Sequence, residues 1–449
     1  MQFSVELLNL RIVTWSDMVR RIFIIAALLM SAVVSAEAQT GTWSGNLDIQ
    51  GNKLTLVFHL DGDNPTMDSP DQGAKGIPVE VERGPAGRIG IRIPSLGASY
   101  EGQWLIRQIA GTFRQMNAEL PLTLTPGEKR PNRPQTPHGP FPYETEEVTF
   151  RNGSVTLNGT LTLPEDHSRK TIALVMVTGS GQQNRDEEIF GHKPFAVIAD
   201  ALARAGIATL RYDDRGFKGY TGDIAECTVD DFAADALAGV RLLRERFDKA
   251  GVIGHSEGGT IALMLAAGNN VDFAVSLAGM AVSGAETLIG QNRTALAAAG
   301  LDKETADTYC RLLAEAFNAS EKGLSMPEAD KYDLPDALKQ NYMSVKMQIQ
   351  LPYMRHFISL DMRPMLGQIA CPVMALNGTK DSQVDHQSNL KALCNGLGYN
   401  PMNKIEAIDG VNHLFQHCTT GSVAEYREIE ETFAPEVLKK IVGWLSELQ

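Results

Sequence analysis

The chain has 449 residues, too many for one ordinary domain and enough for two or three. Its apolar and charged fractions, 43% and 21%, are those of a soluble globular protein and exclude a disordered one. The formal net charge of -13 argues against nucleic acid and anionic membrane surfaces as partners, but does not identify a substrate.

The first segment reads as a targeting signal. Arg20 and Arg21 precede an apolar run from Ile22 to Val34, and Ala36-Glu37-Ala38 puts small residues where a signal peptidase reads. The run is short for a permanent membrane span. The expectation is a cleaved leader over residues 1–38, a mature chain starting near Gln39, and an exported protein, periplasmic or secreted. Residues Met1 to Asp17 fit neither role, and Met18 is an alternative start. No cysteine follows the cleavage position, so no stable membrane anchor is expected there. The five cysteines are Cys227, Cys310, Cys371, Cys394 and Cys418. Their odd number leaves at least one free or paired between chains. Their scattered spacing does not indicate a zinc site, and a Cys394–Cys418 bridge stays open.

From Thr42 to Thr125 the pattern has a period of two. "KLTLVFHL" (Lys53 to Leu60) and "GRIGIRIPSL" (Gly87 to Leu96) run or alternate apolar between Gly, Pro, Asn and Asp. This predicts a small all-β domain of short antiparallel strands over residues 39–127. Five prolines between Glu128 and Glu144 break helix and sheet alike, and predict a linker over 128–145. In "EVTFRNGSVTLNGTLTLP", Asn152-Gly153 and Asn158-Gly159 lie between β-formers and signal a hairpin. "TIALVMVTG" is a continuous apolar run bounded by glycine, the mark of a buried parallel strand. A helical stretch, Pro194 to Ala205, leads to the strand in "GIATLRYDDRG". Thr228 and Asp231 resemble an N-cap pair, and Phe232, Ala236, Val240, Leu243 and Phe247 share one helical face. "AGVIG" (Ala250 to Gly254), "FAVSLAGMA" (Phe273 to Ala281), "CPVMALNG" (Cys371 to Gly378) and "KIEAIDG" (Lys404 to Gly410) read as further strands. Pro435 to Leu448 reads as a closing helix. Strands alternating with helices predict an α/β unit over residues 146–449, a mostly parallel sheet with both faces covered. Between Ser283 and Arg363 the alternation stops, and the helical pattern there predicts an inserted cap over residues 284–362.

Gly254-His255-Ser256-Glu257-Gly258, with Gly259 behind it, is a G-x-S-x-G pattern between a strand and a helix. A serine thrust out on so tight a turn needs neighbours without Cβ, so that strand and helix can close around it. The helix N-terminus offers N–H groups and a positive dipole end to an oxyanion. Ser256 is the expected nucleophile. A serine hydroxyl is weak by itself and needs a base and an orienting acid. On sheets of this kind the chain order is Ser, then Asp or Glu, then His. Asp381 follows the "VMALNG" strand and His413 follows the last strand, both at carboxyl ends and in that order. Asp385 is the rival acid, and His417, expected on a following helix, is the rival base. His255 is expected to pack around the elbow.

The developing oxyanion needs two donors. One is the backbone N–H of Glu257. The other comes from "TGSGQ" (Thr178 to Gln182), where Ser180 is the candidate and Gly181 the alternative. Arg185 and Asp186 are expected to pair with each other and fix this loop. The two acids of "YDDRG" (Tyr212 to Gly216) have no third ligand at metal spacing, so Asp214 with Arg215 is expected to brace a strand end. The Glu257 carboxylate is expected to point away from the oxyanion, tied to a polar neighbour.

In order along the chain, "TGSG", "RDE", "GHKPF", "RYDDRG", "GHSEGG", "NGTKDSQV" and "GVNHLFQ" resemble the α/β-hydrolase superfamily. More narrowly they resemble bacterial carboxylesterases with GHSEGG at the elbow and a β-rich domain in front. The resemblance runs from about Glu144 to the C-terminus, and reaches the front domain through "DSPDQGAKGIP" (Asp68 to Pro78) and "IAGTFRQ". It departs at one point, where the glycine loop reads GSGQ in place of GSGP. It implies a serine hydrolase without cofactor or metal, acting on small-molecule short-chain acyl esters through an acyl-enzyme. One alternative is a serine exopeptidase that holds a peptide terminus with Glu286, Glu304, Glu315 or Glu321 of the cap. Another is an esterase for acylated plant polysaccharide. A decayed binding module is disfavoured by the intact Ser256, Asp381 and His413. Trp43, Phe58, Tyr100 and Trp104 of the front domain are expected in its core and not on a sugar platform.

Overall fold

A computed structural model describes residues 40–449, apart from 50–51, 73, 106, 117, 129–131 and 218–223. The expected leader over residues 1–38 lies outside the described residues. The chain divides into two compact units, Met1–Arg130 and Pro131–Gln449.

The front unit holds β1 (Thr42–Ile49), β2 (Asn52–His59), β3 (Thr66–Ser69), β4 (Ala74–Pro78), β5 (Glu80–Arg83), β6 (Arg88–Ile93), β7 (Ala98–Leu105), β8 (Gln108–Gln115) and β9 (Ala118–Pro126). They form one antiparallel sheet in the order β4-β3-β2-β1-β9-β8-β7-β6-β5. The period of two has its usual cause: successive side chains leave a strand on opposite faces. In β6 the isoleucines Ile89, Ile91 and Ile93 are buried while Arg88 and Arg92 face water. Trp43, Phe58 and Tyr100 lie in this core, with Trp104 packed at its edge.

The second unit is built on β10 (Tyr143–Asn152), β11 (Val155–Pro164), β12 (Ala173–Val177), β13 (Ala208–Tyr212), β14 (Ala250–His255), β15 (Ala274–Leu277), β16 (Val373–Gly378) and β17 (Lys404–Ile408). The sheet order is β10-β11-β13-β12-β14-β15-β16-β17. The β10/β11 and β11/β13 pairs are antiparallel, and every other pair is parallel. In the central β12 every residue is buried: Ala173, Val175 and Val177 enter the core on one face, Leu174 and Met176 the core on the other. That is why this strand reads as an unbroken apolar run. Burying each such side chain stabilises the fold by about 1.5–3 kcal/mol.

The hairpin between β10 and β11 turns at Asn152-Gly153. The second Asn-Gly is not a turn. Asn158 and Gly159 lie inside β11, opposite Thr149 and Val148. Gly159 is there for space, since a Cβ would sit 2.6 Å from the Arg211 carbonyl oxygen of the neighbouring β13.

The helix Val229–Arg246 starts as its cap pair predicts: the Asp231 carboxylate accepts from the Thr228 N–H at 2.9 Å. Ala236, Val240, Leu243 and Phe247 are buried against the sheet, with Phe232 partly buried beside them. Between β15 and β16 stand the cap helices Gly284–Ala298, Lys303–Glu321, Asp336–Gln348 and Pro352–Ser359. They share a core of their own around Tyr309, Leu312, Leu313, Phe317 and Tyr342. Part of the proline-rich stretch is fastened down. The Arg133 guanidinium donates to the carbonyls of Phe190, Arg427 and Ile429, and Gln135 bonds to Phe433 and Thr432. All five cysteines are free thiols, so the Cys394–Cys418 bridge does not form. No helix among the described residues is long and apolar enough to cross a membrane.

Candidate active site

Ser256 is the single residue between β14 and the elbow helix Glu257–Ala267. Its φ of 55° and ψ of -118° put a non-glycine residue in a strained left-handed conformation. The surrounding glycines make that turn feasible. A Cβ on Gly254 would lie 1.9 Å from the Gly258 carbonyl oxygen, and one on Gly258 would lie 2.0 Å from the Val177 carbonyl oxygen. Strand, turn and helix therefore touch backbone to backbone.

Asp381 and His413 stand on the loops after β16 and β17. The Nδ1 of His413 lies 2.7 Å from Asp381 Oδ2, with the acid side chain 0% exposed and the imidazole 4%. The other acid oxygen accepts the N–H groups of Gln383 and Val384 at 2.8 and 2.9 Å. A carboxylate at Nδ1 places the ring proton there and leaves Nε2 as the basic nitrogen. Ser256, His413, Ser180 and Glu257 line one cleft of about 490 Å³. The rivals have other work. Asp385 caps the helix His386–Gly396 by accepting from the Ser388 N–H. His417 is not on a helix. It forms a bridge with Val411, and its half-exposed ring sits between Glu431 and Glu436.

Two acids, Asp214 and Glu187, brace the loop after β12. Asp214 accepts from the Thr178 hydroxyl at 2.7 Å and the Gln183 N–H at 2.9 Å, and burial pushes its carboxyl up to about 8. Glu187 accepts the Gly179 N–H at 2.7 Å. Gly179 packs so closely that a Cβ there would lie 3.2 Å from that of Ser256. Beyond it, Ser180 lines the cleft, whereas Gly181 lines a neighbouring cavity shared with Asp214 and Glu257.

Two expected pairings are corrected. Arg185 does not meet Asp186: it reaches Asp213 and Glu147, each at 2.7 Å, while Asp186 meets Arg211 and Lys193. Adjacent side chains on a loop diverge, so each finds a partner on a different element. Asp214 does not brace Arg215 either, because Arg215 turns to Asp235 and Asp231 of the helix Val229–Arg246. Among the described residues no group of three or more His, Cys, Asp or Glu could hold a metal ion.

Glu257 is 4% exposed, and its Oε2 accepts from the Tyr353 hydroxyl at 2.6 Å. Its Oε1 is buried without a hydrogen-bond partner. Burial raises this carboxyl above its ordinary value, while the Ser180 and Tyr353 hydroxyls oppose the rise. The polar neighbour is thus a tyrosine of the cap, distant in sequence and marked by no local pattern. Glu187 also reaches the elbow. Its Oε1 lies 2.9 Å from His255 Nδ1, and His255 Nε2 lies 2.9 Å from the His413 carbonyl oxygen. Burial opposes charge on His255, but Glu187 and that carbonyl outweigh it and hold its pKa above the ordinary value. None of Glu286, Glu304, Glu315 and Glu321 lines the cleft, whose cap side presents Leu288, Gln291, Gln348, Tyr353, Met354 and Phe357. Glu286 pairs with Arg363, and Glu315 accepts from the Tyr332 hydroxyl.

The family described as serine aminopeptidase, S33, matches residues 193–417, a span that contains Ser256, Asp381 and His413. The chain is 29% identical over 282 residues to Esterase EstD of Thermotoga maritima, an alignment covering 61% of this chain. It spans 61% of the length of that curated relative. Among solved structures it is similar to Est1E from Butyrivibrio proteoclasticus, with 17% identity, 67% of this chain and 98% of that chain covered, and a TM-score of 0.40. It is also similar to the Pyrococcus furiosus esterase Pf2001, with 15% identity, 72% and 99% covered, and a TM-score of 0.43. With this match over half of its length, the chain belongs to the serine aminopeptidase, S33, family and has the α/β-hydrolase fold.

Proposed function

We propose that this protein is an exported serine carboxylesterase that cleaves short-chain acyl esters. The observation that carries the reading is one cleft lined by a serine on a strained elbow and by a histidine whose Nδ1 is held by a buried carboxylate. His413 Nε2 takes the hydroxyl proton as Ser256 Oγ attacks the ester carbonyl carbon. Asp381 keeps the imidazole oriented and stabilises its cation. The Glu257 and Ser180 N–H groups receive the oxyanion. Collapse of the tetrahedral adduct expels the alcohol, which takes its proton from His413, and leaves the acyl group on Ser256. Water, deprotonated by His413, then releases the acid.

The cap lines the cleft with apolar, tyrosine and glutamine side chains and no charged one, which favours an acyl chain over a charged peptide terminus. The name of the curated relative, an esterase, points the same way. The family description keeps an exopeptidase as the second reading. Turnover of p-nitrophenyl acetate against an aminoacyl p-nitroanilide separates the two: faster ester cleavage, abolished in Ser256→Ala, supports the esterase. Full activity in Ser256→Ala, or a preference for the anilide, sinks it. Export rests on the Arg-Arg, apolar and Ala-x-Ala pattern at the start of the chain. N-terminal sequencing of protein recovered outside the cytoplasm should begin near Gln39, and an unprocessed cytoplasmic chain would refute it.

A further inference from the structure

We propose that Glu187 and His255 form a buried ion pair that positions the oxyanion loop and the catalytic histidine as one unit. The proposal rests on the hydrolase reading above. It adds two positioning residues on the wall of the cleft, which act through Gly179 and His413 and not on the reacting atoms.

The protonation follows from the partners. His255 Nε2 faces the His413 carbonyl, which only accepts, so Nε2 carries a proton. Its Nδ1 faces Glu187 Oε1, which also receives the Gly179 N–H. An oxygen with two N–H neighbours suits a carboxylate, and both ring nitrogens then donate. His255 is an imidazolium. Glu187, His255 and His413 are 3%, 6% and 3% exposed, so water does not compete for these bonds.

The pair reaches three chain segments at once. Through Gly179 it holds the loop whose next residue is the oxyanion candidate Ser180. Through its own backbone it sits on the elbow beside Ser256. Through the His413 carbonyl it holds the backbone of the base, whose side chain Asp381 holds independently. Glu187 itself adopts a φ of 53°, a strained value for a non-glycine residue. A buried ion pair adds little net stability, because desolvating two charges offsets their attraction. What it supplies here is geometry. It also settles a charge conflict. The rings of His255 and His413 are 4.7 Å apart, and a lone cation at that distance would oppose the charge His413 gains in the transition state. Glu187 cancels that charge.

The test measures the rate constant at which a fluorophosphonate labels Ser256, and the final number of labelled sites, in native enzyme, Glu187→Gln, His255→Gln and the double variant. Labelling needs an activated serine and an oxyanion hole but no ester, so it is independent of the substrate assigned above. Each single variant should label between about 10- and 100-fold more slowly per active site. The double variant should be no slower than the worse single variant, since both break one unit. With p-nitrophenyl acetate the loss should appear in kcat, with KM changed less than about twofold. If the variants lose sites or melt earlier but label at the native rate per site, the pair is only structural and the proposal is overturned. Losses that multiply in the double variant overturn it too. Should Glu187→Gln not fold, His255→Gln carries the same test alone. Native enzyme that labels but leaves esters intact would refute the esterase reading and leave this test standing.

Discussion

The ends of the sheet strands and the helical cap are held by different forces. At the strand ends, Asp214, Glu187, Glu257 and Asp381 are buried acids bonded to backbone N–H groups, hydroxyls or a histidine, and Ser256 is locked in a strained turn. In the cap, helices pack on an apolar core and pair their charges in water. Arg293 with Asp307 and Arg363 with Glu286 are each about half exposed. Met343, Met347 and Leu351 remain exposed on the cap surface. Catalytic geometry needs groups fixed to a fraction of an ångström, and buried hydrogen-bond networks supply that. A cap that shapes a pocket needs only the right volume and apolar character. Tyr353 is where the two regimes meet, because its ring belongs to the cap and its hydroxyl to Glu257 of the elbow helix.

The comparison breaks most visibly at the acid. Asp381→Asn should lower kcat by roughly 10,000-fold, because an amide at Nδ1 favours the wrong imidazole tautomer. Stopped-flow turnover of p-nitrophenyl acetate measures it, and a loss under about tenfold would remove Asp381 from the triad. Gly258→Ala presses a methyl group into the Val177 carbonyl oxygen and should destabilise the fold by about 3 kcal/mol or more. Its melting curve should fall together with its labelling by fluorophosphonate. Tyr353→Phe removes the donor from a buried carboxylate and should cost about 1–3 kcal/mol in denaturant unfolding. That cost has a sign in pH. Burial holds the Glu257 pKa above its unfolded value, so the folded chain keeps a proton that the unfolded chain has already lost. Stability therefore falls as pH rises through that interval, and losing the Tyr353 donor widens it. The variant should suffer more at about pH 8 than at about pH 5, and an equal loss at both would contradict the burial of that charge. The smallest effect belongs to the cap surface, where Arg293→Ala should change stability by less than about 1 kcal/mol.

Much of the fold was legible because its signals are local. β12 is apolar throughout because it is covered on both faces, and β6 alternates because it is covered on one. The elbow was legible because Gly254, Gly258 and Gly259 each leave room for a close backbone approach, and the proposed triad because each member follows a strand. The misreadings share a cause. Asn158-Gly159 has the chemistry of a turn, but its glycine serves the approach of β13. Arg185 and Asp186 look like a pair, but their partners lie on other segments. His417 reads as part of a following helix, yet it forms a bridge with Val411.

The sequence by itself determined the strand–helix alternation, the elbow and the placing of Ser256, Asp381 and His413 each after a strand, since each depends on periodicity or spacing within a few residues. Only the tertiary structure decided which charges are paired and which are buried. Glu257 reaches a tyrosine of the cap, and Glu187 ties Gly179 to His255 and so to His413. These bonds join segments far apart in the chain, and no local pattern encodes them. Their strength comes from the exclusion of water, which exists only once the core has closed.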